Sequence, residues 1–108
     1  MIGQIRNQLN IRQEIQDILV DCYGPEEEAS AWGVAFEDEV SVPATARMLG
    51  MPVEVRGFRV GDDNRIECLV AREKQERWIG VVDLDEDGMP KDMAHMLGLH
   101  RVWVTGDF

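Results

Sequence analysis

Apolar residues follow two rhythms along the chain. Between residues 4 and 22, Ile11, Ile15, Ile18, Leu19 and Cys22 recur at intervals of four, three, one and three, which lines one face of a 3.6-residue helix. This predicts a first helix over 4–22. Tyr23-Gly24-Pro25 interrupts it, with Gly24 suited to the position after a helix end and Pro25 to the first position of the next. A second helix follows over 25–36, with Ala29, Trp32, Ala35 and Phe36 inward. After Asp38 the period falls to two. Val40, Val42 and Ala44, then Val53, Val55 and Phe58, then Ile66, Cys68 and Val70, then Ile79 and Val81 read as four short strands. Gly61-Asp62-Asp63-Asn64 is a hairpin signal, and 72–76 is a polar turn. A short helix from Pro90 to Leu97, closed by Gly98, and a last strand over His100 to Val104 complete the pattern. The fold class is α+β: two N-terminal helices, a small, strongly bent, barrel-like antiparallel sheet, then a short C-terminal helix and strand. Without repeats or linkers, 1–108 reads as a single domain.

Composition narrows the function. The 108 residues hold 21 acidic and 11 basic side chains, a net charge of −10. That disfavours nucleic acid and anionic lipid as partners and favours cations or a basic protein. No apolar run approaches the roughly 18 residues of a bilayer span, and no secretion signal precedes the first helix, so a cytoplasmic location is expected. Cys22 and Cys68 lack ligand spacing and read as buried thiols; His95 and His100 give no zinc signature and read as surface or interface residues.

The acidity is local. Asp21, Glu26, Glu27, Glu28, Glu37, Asp38 and Glu39 give residues 21–40 a charge of −7, with no Lys or Arg among them. Asp83, Asp85, Glu86, Asp87 and Asp92 against Lys91 give 83–92 a charge of −4, so the rest of the chain sums to +1. Stacked carboxylates repel unless something neutralises them, and a hard cation does so. Asp83-Leu84-Asp85-Glu86-Asp87-Gly88 repeats the Asp-x-Asp-x-Asp-Gly opening of a calcium loop, where alternate carboxylates converge and the glycine allows the backbone to reverse. It is not an EF-hand, because the twelfth position is Ala94 and the flanks read as strand and short helix, but Asp92 or the first acidic cluster could complete the loop. As a plain turn, the same residues would favour the helix start that follows Pro90. Glu37-Asp38-Glu39 falls where a helix hands over to a strand, so extended chain would turn Glu37 and Glu39 to one side and Asp38 to the other. Asp38 is the first choice of ligand and Asp21 a minor one. Glu26, Glu27 and Glu28 also suit a helix first turn on structural grounds alone, and Asp62 and Asp63 suit a hairpin turn. No nucleophile motif, phosphate loop or concave acid/base pair is evident, so an enzyme is not expected.

The stretch EIQDILVDCYGPEEEASAWGVAFEDEVSVPATARM, followed by VEVRGFRVGDD, resembles the small bacterial calcium-binding proteins of the CcbP-like family. The matching features are Tyr23 after the first helix, the acidic run Glu26 to Glu28, Trp32 with Gly33, and Glu37-Asp38-Glu39 leading to Pro43. The resemblance implies a barrel-like sheet and calcium binding inside the cell, as a buffer without catalysis. Its ligands would come from Glu26, Glu28, Glu37, Asp38 and Glu39. The segment after Pro43 is shortened here to 47–51, and Asp83, Asp85 and Asp87 rest on their own spacing. The expected affinity is on the order of micromolar or weaker, with magnesium rejected by its need for a rigid octahedron. The rival reading is an acidic interaction module that docks a basic partner.

Overall fold

The computed structural model describes residues 2–106, with side chains from residue 10 onward. Its elements are helices α1 (Ile2–Ile18) and α2 (Pro25–Glu39), strands β1 (Ala44–Met48), β2 (Met51–Val60), β3 (Ile66–Arg72) and β4 (Gln75–Gly80), a 3-10 turn (Val81–Asp83) and helix α3 (Lys91–Thr105). The class is α+β, and no described helix is long and apolar enough to cross a membrane.

Helix α1 stops four residues before the predicted end. Asp21 takes the left-handed position there, at φ 62°, which short polar side chains tolerate. Gly24 is instead the extended N-cap of α2, ahead of Pro25 in the first turn. Helix α2 buries Ala29, Trp32, Gly33 and Phe36. At Gly33 it lies so close to β2 that an added Cβ would stand 2.9 Å from a Val60 methyl. The helix runs on to Glu39 because Val40, itself buried, donates its N–H to the Phe36 carbonyl at 3.1 Å. Glu37, Asp38 and Glu39 are therefore helical, and the extended alternation expected of them does not occur.

The sheet is an antiparallel meander in the order β1-β2-β3-β4. Val40 and Val42 precede β1, and the first hairpin instead joins β1 to β2 through Leu49 and Gly50, at φ 53° and 77°. Two left-handed residues match the twist of tight hairpins. The register slips between Val55 and Gly57, and this bulge lets both Val55 and Phe58 face inward despite their odd spacing. Two features correct the sequence expectation. The sheet is open, with β1 and β4 as edges, so it is not a closed barrel. And α3 continues through Gly98 to Thr105, so the region read as a short helix and a strand is one 15-residue helix. Met96, Leu97 and Leu99 are buried around that glycine, and burying even one leucine outweighs the cost of about 1 kcal/mol for a helical glycine.

Helix α2 lies on β2 and β3, with α1 and α3 against it. One core joins Ile15, Trp32, Phe36, Val55, Phe58, Cys68, Val70, Met93 and Leu97. Burial pushes the Cys68 thiol up to about 12. His100 joins the aromatic part of this core, edge-on to Trp32 with ring centroids 5.0 Å apart and near Phe36 and Trp103. Burial lowers its pKa below the ordinary 6.5. The unfolded chain therefore takes up the proton first as pH falls, so stability present above 6.5 is lost on the way down to the folded value. The melting temperature of the wild type should fall relative to that of His100→Phe between about pH 7.5 and 5.5. Parallel melting curves would show that the imidazole titrates normally.

Candidate functional site

The acidic residues occupy three places. Glu26, Glu27 and Glu28 fill the first turn of α2. Glu27 accepts the Tyr23 N–H at 2.8 Å, while Asp21, Glu26 and Glu27 border a shallow cavity of about 620 Å³. The Cys22 thiol reports on this cluster: its pKa is raised by partial burial and then by Glu27, Glu28 and Asp21. Asn64, in the β2–β3 turn, borders the same helix start. Asp63 in that turn pairs with Arg65 at 2.5 Å and accepts its N–H, as a turn residue does.

Glu37, Asp38 and Glu39 lie at the other end of α2 and are exposed. Ten residues separate Glu28 from Asp38, about 15 Å along a helix, so one ion does not bridge them. The C-terminal end of a helix carries the negative pole of its dipole, and no basic residue stands in this last turn. Here the two acidic segments of the sequence meet, because Asp92, at the start of α3, accepts the Ser41 N–H at 2.9 Å.

The third place is the loop between the 3-10 turn and α3. Gly88 has φ 79°, as the reversal requires. Two of the three alternate carboxylates have partners of their own. Asp83 closes the 3-10 turn. Asp85 accepts the N–H groups of Leu49 at 3.2 Å and Gly50 at 2.7 Å, while its own N–H binds the Arg47 carbonyl at 2.7 Å. Asp87, whose side chain is 93% exposed, stands 3.6 Å from Arg47. Glu86 pairs with Arg101 of α3. Among the described residues, no three His, Cys, Asp or Glu side chains converge closely enough to hold a metal ion.

Sequence reasoning missed the countercharges Arg47 and Arg101, and it offered Asp92 as a residue completing the 83–88 loop, whereas Asp92 binds Ser41. Arg47 lies 40 residues from Asp87, and no local signal joins them. His95, read as a surface residue, bonds Glu14 of α1 at 2.8 Å. His100, by contrast, is packed among aromatic rings.

No family model and no curated protein matches the chain. Two solved structures do. A calcium-binding protein in its calcium-binding form superposes with a TM-score of 0.73 at 17% identity, covering 92% of each chain. Anabaena CcbP superposes with a TM-score of 0.76 at 18% identity, covering 88% of this chain and 89% of the other. At such identities the likeness is one of fold, which this chain shares with both along about nine-tenths of its length.

Proposed function

We propose that the protein binds calcium ions with the carboxylates of its two acidic segments, as a cytoplasmic buffer that carries out no catalytic step and acts as one domain. The observation that carries this reading is the fold shared along nearly the whole chain with a calcium-binding protein and with Anabaena CcbP. The donor chemistry agrees with it: carboxylate oxygens suit a hard cation that takes six to eight of them. Repulsion within each cluster is relieved when an ion enters, and the ion then favours the fold it binds.

Asp38 with Glu37 and Glu39 is the first candidate group, since it sits at the negative helix end next to the segment that carries Asp92. Asp83, Asp85 and Asp87 form the second, and Glu26 and Glu28 the third. In the second group Arg47 already holds Asp87, so an ion there competes with a guanidinium. This favours weak affinity.

Calorimetric titration with calcium, with magnesium and a chelator as controls, tests the reading. Saturable heat and a rise in melting temperature are expected with calcium alone. The stabilisation should reach about 2.7 kcal/mol at a hundredfold excess over Kd. Asp38→Ala should weaken the tighter site more than Asp62→Ala. Arg47→Ala should strengthen binding at the 83–87 loop a few-fold, the worth of an exposed ion pair. Absence of heat at millimolar calcium, together with an unmoved melting temperature, would overturn the proposal.

A further inference from the structure

The pairing register assigns one face of the sheet to Met48, Met51, Val53, Val70, Arg72 and Arg77. Met48 lies opposite Met51, Ala46 opposite Val53 and Val70 opposite Arg77, while Arg72 follows Val70 by two. This is the face that carries the core, because Val55 pairs with Val70. Past the helices the face opens into a cavity of about 680 Å³ lined by these six residues together with Glu73, Gln75 and Glu76, and by no helix residue among those described. The volume is that of a small-molecule site.

Its charge runs against that of the protein. Arg47, Arg56, Arg59, Arg65 and Arg101 each meet a carboxylate, whereas Arg72 and Arg77 meet none among the described residues. Two strands bring them together, diagonal neighbours on one face of β3 and β4. Two carboxylates lie at the rim. Glu76 is held on the opposite face by Arg56 at 2.6 Å, and Glu73 lies in the β3–β4 turn at φ 59°, leaving two guanidiniums against one free carboxylate.

We infer that this cavity binds a small carboxylate with an apolar tail, the carboxylate held by Arg72 and Arg77 and the tail laid on Met48, Met51, Val53 and Val70. Guanidinium groups receive carboxylates through paired N–H donors. The thioethers of Met48 and Met51 adapt to tails of varied shape. The inference is independent of calcium.

Octanoate is a suitable probe, titrated into the full chain in chelator and followed by the methyl resonances of Met48 and Met51. Saturable shifts confined to this cavity are expected, with binding about tenfold weaker in Arg72→Gln or Arg77→Gln. Octanol, which has the tail without the charge, and acetate, which has the charge without the tail, should each bind at least about tenfold more weakly than octanoate. Both arginines are exposed, so their variants should fold, and retained melting temperature checks that they do. No saturable shift, shifts centred elsewhere, equal binding of octanol or acetate, or undiminished binding by the folded glutamine variants would each overturn the inference.

Discussion

Trp32→Ala is expected to lower stability by about 3–5 kcal/mol, the usual cost of truncating a fully buried aromatic residue. At about 4 °C per kcal/mol, the melting temperature should drop by roughly 12–20 °C. The side chain is 0% exposed and touches His100 and Trp103, so alanine opens a cavity between α2 and α3. Trp32→Phe should behave differently. The indole Nε1 is buried and finds no acceptor among the described groups, and an unpaired buried N–H costs about 1–3 kcal/mol. Phenylalanine removes that group and keeps a ring against His100, so its net cost should be about 1 kcal/mol or less. Urea unfolding of the three proteins checks both expectations. A phenylalanine variant as weak as the alanine one would mean that the N–H is satisfied, for instance by the face of the His100 ring.

Asp85→Ala should destabilise the protein by about 2 kcal/mol, or roughly 8 °C. Its carboxylate receives both N–H groups of the Leu49-Gly50 turn. It thereby compensates for a leucine held in the left-handed region, which costs a non-glycine residue about 1–2 kcal/mol. Asp85→Asn keeps one acceptor oxygen and should lie between the two. The loss in chelator should already have this size, since it arises from the turn, and calcium should enlarge it by what the carboxylate adds as a ligand. A loss seen only in calcium would make Asp85 an ion ligand and nothing else.

That turn also shows where the sequence stops being readable. Gly61 to Asn64 announces its own hairpin through turn residues, but Leu49-Gly50 does not, because its stabilising acceptor lies 36 residues downstream of Leu49. Gly98 looked like a helix end for a similar reason. Helix propensity is local, whereas the burial of Leu97 and Leu99 that overrides it is tertiary. Helix α2 was legible because Pro25, the three glutamates and the inward Trp32 and Phe36 all agree. Its last turn was not, since Glu37 to Glu39 carry no periodic signal and Val40 extends the helix through its own burial. As for the candidate site, charge summed by segment located the acidic clusters. What joins or neutralises them, Asp92 to Ser41 and Arg47 to Asp87, comes from distant parts of the chain.

The meander leaves β1 and β4 with one open side each. Such edges invite neighbouring molecules to add strands and grow into aggregates. Here β1 is only five residues long. The β4 edge begins Gln75-Glu76-Arg77, all exposed, so a copy approaching strand to strand would have to strip water from charged side chains. The placement of those charges favours monodisperse behaviour at high concentration.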